Sequence, residues 1–208
     1  MAPLPHKPEA VNDMRRTVLI VAALNFAYFF VEFGVARAIG SVSLFADSID
    51  FLEDTAVNVL VLIALGWTAA RRRWVGLCLA CLLLAPGAAA LWTAWDKVSN
   101  PAIADPYVLT LTGLGALLVN FSCAVLLSRV RHDGGSLSKA AFLSARNDVV
   151  ANIGIIGAGA LTFATGSIWP DLVVGLAIAA LNAGSAIEVY EAAQGESDDD
   201  DAAARARP

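Results

Sequence analysis

Apolar residues gather in six stretches along this chain, at about 17–39, 43–69, 74–95, 107–128, 137–163 and 169–189. Short segments rich in arginine, glycine, proline and aspartate separate them. A helix crosses a ~30 Å hydrocarbon core with about 20 apolar residues, so each stretch has the length of one span. The pattern predicts an all-α integral membrane fold, a six-transmembrane-helix bundle. The first stretch follows Arg15 and Arg16, exceeds a signal-peptide core in length and has no clear small-residue cleavage site, so it reads as a retained span. A turn at Gly40 leads into the second, which ends at Arg71-Arg72-Arg73. The third has Trp74 and Trp95 at its ends, where an aromatic belt belongs, and Pro86-Gly87 predicts a kink within it. Asn100-Pro101 and Asp105-Pro106 mark the next loop, and Arg129 to Gly135 form a polar connection to the fifth span. Gly154, Gly157, Ala158 and Gly159, with the pairs Gly175/Ala179 and Ala180/Gly184, predict close helix approach. Residues 1–16 are expected to form a flexible cytoplasmic N-terminus, 17–192 the transmembrane domain and 193–208 an acidic disordered tail.

Composition agrees with the pattern. Hydrophobic residues make up 58% of the chain, and mean hydropathy is +0.65. Soluble domains hold about 45–50% apolar residues. The net charge of −5 sits largely in the tail, where Glu196 and Asp198 to Asp201 face two arginines, leaving −2 elsewhere. Nothing basic enough for nucleic acid is present. Arg15, Arg16, Arg71 to Arg73, Arg129, Arg131 and Lys139 fall on one side of the predicted membrane, and Arg37 and Lys97 on the other. The positive-inside rule then puts the N- and C-termini in the cytoplasm, for a multi-pass protein of the cell (inner) membrane. Cys78, Cys81 and Cys123 lie in apolar runs and read as small packing residues rather than a redox or metal pair.

The second stretch breaks the apolar pattern. It carries Asp47, Asp50, Glu53 and Asp54. At about 100° per residue, Ser43, Asp47, Asp50, Asp54 and Asn58 share one helix face within roughly 80°, with Glu53 to one side. Leu52, Val59 and Ile63 form the opposite, apolar face. A charge at bilayer depth costs at least ~2.5–3.5 kcal/mol, so the stripe calls for a cation or proton, unless the acids sit solvated at a helix end. Asp50 and Asp54, on adjacent turns, suit a divalent cation that relieves their repulsion. In the first span Asn25 and Glu32 share a face, and Glu32 is expected to point into the bundle, to handle protons or to bond a neighbouring helix.

Gly40-Ser41-Val42-Ser43-Leu44, Ala46-Asp47-Ser48 and Asp50-x-x-x-Asp54 resemble the second helix of the cation diffusion facilitator family of metal transporters. Ser144-Ala-Arg146-Asn147-Asp148 resembles its fifth helix, where a His-x-x-x-Asp or Asp-x-x-x-Asp pair completes the site. Asp148 matches the final aspartate, while Ser144 departs from the usual His or Asp. The resemblance implies a metal site of Asp50, Asp54 and Asp148, with Asn147 or Ser144 as a fourth group, and Asp47 and Glu32 as supporting or proton-handling groups. It implies efflux of a divalent transition metal by metal/proton antiport and a homodimer formed through transmembrane helices. Zinc is the family's usual cargo, and an oxygen-donor site admits Mn, Fe, Co, Ni or Cd as well. One histidine in the 129–135 connection argues against a zinc-collecting loop, and about twenty residues after Val189 are too few for the folded cytoplasmic domain of most members. No organic cofactor is expected. A membrane enzyme is disfavoured because no His-Glu-x-x-His, Gly-x-Ser-x-Gly or intramembrane histidine base occurs. A transport-incompetent metal- or partner-binding relative stays as the alternative.

Overall fold

The computed structural model describes residues 8–64, 90–130 and 135–181. Arg71 to Arg73, Cys78, Cys81, the Pro86-Gly87 kink, His132, residues 182–189 and the acidic tail lie outside the described residues. The described elements are helical, in the order α1 (Pro8–Ile39), α2 (Val42–Ala64), α3 (residues 90–99), α4 (Pro106–Val130), α5 (Gly135–Thr165) and α6 (Trp169–Leu181). α1 begins well before the apolar run at 17. Hydropathy registered only the apolar part of this helix, so residues 8–16 are helical where a flexible segment was expected. α3 likewise continues past Trp95 to residue 99, closed by Asn100, whose amide donates to the Asp96 carbonyl at 2.7 Å.

Local chemistry sets the turns. Gly40 (φ +64°) and Gly166 (φ +59°) take the left-handed conformation that ends α1 and α5. Asp105 caps α4, accepting from the Tyr107 and Val108 amides at 2.9 and 3.1 Å, with Pro106 at the first helical position.

Short connections make α1 and α2, α3 and α4, α4 and α5, and α5 and α6 antiparallel pairs. One end of the bundle gathers the α1–α2 turn, the end of α3 and the start of α6, joined by Lys97 and Asp171. At the other end Met14 and Val18 of α1 pack with Val130 of α4 and, at its edge, Leu62 of α2. The main core draws on all six helices, through Ala36, Leu44, Phe45, Ala46, Ile49, Ala90, Leu109, Ile155, Ile178 and Ala179.

Small residues permit the close approaches, though not all of those expected. A Cβ on Gly175 would lie 2.6 Å from the Val42 carbonyl carbon, so α6 meets the backbone of α2. Gly159 admits the side chain of Thr110, and Gly115 that of Tyr28, whose hydroxyl donates to the Thr112 carbonyl at 2.7 Å. Among the described residues, a Cβ on Gly157 would meet no neighbour and one on Gly154 only Val174 at ordinary contact distance.

The outer surface is apolar, with Leu19, Phe26, Phe30, Leu111, Leu118, Phe121, Ile153 and Phe163 exposed. Polar Asn25, Glu32, Asp47, Asn120 and Asn152 are buried. That inversion of a soluble protein suits lipid as solvent. By length and hydropathy α1, α4 and α5 are each long and apolar enough to cross a membrane. α2, at 23 residues, is long enough too, and its four carboxylates rather than its length set it apart.

Candidate metal centre

The site begins with how α2 is held. Its first amides need acceptors, and the acceptor comes from another helix. Asp171 of α6 takes the Val42 amide at 3.0 Å on one oxygen and the Ser43 amide at 3.1 Å on the other. The Ser41 and Ser43 hydroxyls donate to the same carboxylate at 2.7 and 2.6 Å. Lys97 of α3 completes the knot, reaching Asp171 at 2.5 Å and the Gly40 carbonyl at 2.7 Å. A carboxylate at a helix N-terminus complements the dipole, and five donors satisfy its charge. The Gly-Ser-Val-Ser run thus serves as a socket for Asp171. Ser43, which shares the stripe by spacing, spends its hydroxyl there rather than on the acids below it.

Along α2 the acids then divide. Asp47 is fully buried and Asp54 nearly so, while Asp50 and Glu53 are half-buried. Asp47 receives the Asn152 side-chain amide at 2.6 Å, and Asn152 in turn accepts from Asn120 at 3.0 Å. Asp54 receives the Asn25 side-chain amide at 3.2 Å, and Asn58 donates to the Asp54 carbonyl at 2.7 Å. Cys123 of α4 is buried and points its thiol at the Asn25 carbonyl oxygen, 3.5 Å away. It supports Asn25 as well as filling space.

α5 supplies the facing half. Asp148 is half-buried with its carboxyl within hydrogen-bonding reach of Asp54, and it is the charged group that bears most strongly on Asp50. Asn152, one turn further on, grips Asp47. Asn147 is exposed. Ser144 lies in α5 one turn before Asp148, and its side chain is outside the described residues. The fold therefore brings Asp54 and Asp148 together with Asp50 alongside. Among the described residues no group of three or more His, Cys, Asp or Glu side chains is placed to hold one metal ion. Divalent cations bound by oxygen favour several donors, so two carboxylates in reach with a third nearby form an open arrangement.

Two groups of residues escaped the sequence reading. Asn120 and Asn152 were visible only as polar residues in apolar helices, a signal that marks interhelical bonding. Lys97 and Asp171 sit near span ends, where charges read as interfacial. Nothing in the spacing along the chain pairs two residues that far apart.

Comparison with known proteins bears on the whole arrangement. The family model described as the cation efflux transmembrane domain matches residues 18–192. No curated protein matches the chain significantly. Buried carboxylates facing each other across α2 and α5, an apolar outer surface and this match over most of the chain lead to one conclusion: it is a multi-pass membrane protein of the cation efflux family, a transporter family and not an enzyme family, whose domain implies a divalent cation as substrate.

Proposed function

We propose that the chain exports divalent transition-metal cations by metal/proton antiport, with Asp54 and Asp148 as the cross-helix pair that binds the ion and Asp50 as the third ligand. The observation that carries this reading is the Asp54–Asp148 approach between α2 and α5, with Asp50 next to both. Two carboxyls that close repel when both are charged, and either a divalent cation or a proton relieves them. Occupation by one expels the other, which is the chemistry antiport requires. Asn25 fixes Asp54 from α1. The half-exposed Asp50 is the ligand with room to move, so cargo binding draws it towards the pair. Alternating access then follows from α2 and α5 rocking against the remaining helices.

Family membership and an oxygen-donor set support zinc, manganese, cobalt and iron as cargo classes. Isothermal titration with zinc in two buffers of different ionisation enthalpy tests the exchange. The expected result is binding with at least one proton released per ion. Binding that releases none overturns antiport at this site, and absence of binding to zinc or manganese favours a transport-incompetent relative.

A further inference from the structure

Glu32 and Asp47 are both fully buried, on α1 and α2. Among the described residues, both oxygens of Glu32 and Oδ1 of Asp47 lack a hydrogen-bond donor. What faces Glu32 is the Asp47 carboxyl itself, within hydrogen-bonding reach. Ionised carboxylates only accept, so two of them here leave three buried oxygens without donors and two like charges side by side. Burying even one polar group without a partner is costly, and burying a charge far more so. One proton converts this contact into a short O–H···O⁻ bond.

The surroundings supply no other remedy. Tyr28, one turn before Glu32, spends its hydroxyl on the Thr112 carbonyl at 2.7 Å. Asp50 and Asp54 from α2 and Asp148 from α5 face the pair as further acids, and α4 presents the neutral Asn120. Asn152 occupies the other oxygen of Asp47 at 2.6 Å and fixes its orientation. The cargo ligands of α2 begin one turn beyond Asp47, with Asp50 about 4.5 Å and Asp54 about 10 Å further along the helix at ~1.5 Å per residue.

We propose that Glu32 and Asp47 form a second ion site, one proton shared between two carboxyls, which stays filled while a cation occupies Asp54 and Asp148. It rests on the transport reading only for where the cargo sits. The protein thus carries two classes of acid. Those at Asp50, Asp54 and Asp148 exchange protons for cargo, and the Glu32–Asp47 pair keeps its proton and ties α1 to α2 and, through Asn152, to α5.

Infrared spectroscopy of the full chain in lipid nanodiscs, in H₂O and D₂O at saturating zinc, tests this. A protonated-carboxyl band that shifts in D₂O is expected to persist in the wild type. It should disappear in both Glu32→Gln and Asp47→Asn and remain in Glu53→Gln. Each amide supplies an N–H where the proton would be, so both variants are expected to keep the fold and bind zinc. No such band in the zinc-saturated wild type overturns the proposal, as does a band unchanged in both variants. A band that appears only when sodium is withdrawn also overturns it, in favour of a monovalent cation. If titration of the same nanodiscs finds no zinc binding, the transport reading fails, and the comparison of wild type with Glu32→Gln still decides the proton.

Discussion

Asp54 accepts from Asn25 on one helix and meets Asp148 on another within hydrogen-bonding reach, while its neighbour Glu53 bears on Asp148 through its charge alone. That difference is measurable. Asp50→Ala, Asp54→Ala and Asp148→Ala should each weaken zinc binding at least tenfold, about 1.4 kcal/mol, and Glu53→Ala by much less. Calorimetric titration in detergent reads this, and equal small losses at all four positions would mean a diffuse acidic vestibule. Ser144 offers the converse experiment. Zinc prefers nitrogen and sulfur donors, and residue 144 lies one helical turn before Asp148. Ser144→His should raise zinc affinity relative to manganese. Because the imidazole must lose its proton to bind, the gain should shrink as pH falls below about 6.5. An unchanged zinc-to-manganese ratio at both pH values would remove residue 144 from the site.

At the scale of elements, α2 is held by three ties: Asp171 and Lys97 at its N-terminus, Asn152 at Asp47 and Asn25 at Asp54. The Lys97–Asp171 pair is 4% and 1% exposed, so removing one partner strands a buried charge. Lys97→Met is expected to destabilise the fold by about 3 kcal/mol, the lower end for a broken buried pair because Ser41, Ser43 and the α2 amides still serve Asp171. The double variant Lys97→Met/Asp171→Asn should lose less than the two single losses combined, and strict additivity in reversible unfolding would show the pair to be uncoupled. These ties also mark where the sequence was readable. Apolar runs of spanning length located the six helices, and the 100° spacing put Asp47, Asp50 and Asp54 on one face, because both depend on neighbours along the chain. The Gly-Ser-Val-Ser lead-in was recognisable as a motif, yet its purpose needed Asp171, 128 residues away from Ser43. Asp47 has the same history. Spacing placed it on the stripe as a supporting or proton-handling group, and its bond from Asn152 of α5 needed the fold. Residues 8–16 went unread as helix because this polar, charged stretch carries no apolar run.

On the scale of the whole molecule, six antiparallel helices with an apolar exterior form a bundle whose polar groups converge on α2. Lys97 is buried against Asp171, which leaves Arg37 as the exposed basic residue described at that end of the bundle and sharpens the charge asymmetry behind the proposed cytoplasmic termini. Family membership further supports a homodimer through transmembrane contacts, and native mass spectrometry from lipid nanodiscs is expected to find two chains per particle, with strictly monomeric protein as the contrary result. The central claim is that this bundle moves a divalent cation through Asp54 and Asp148 in exchange for protons. Its most direct measurement is zinc uptake into proteoliposomes with a pH gradient imposed, acidic inside, for wild type, Asp148→Asn and Glu53→Gln. The account predicts gradient-driven uptake by wild type and Glu53→Gln, accompanied by proton exit, and at least tenfold slower uptake by Asp148→Asn. Zinc flux that ignores the pH gradient, or that Asp148→Asn leaves intact, would contradict it.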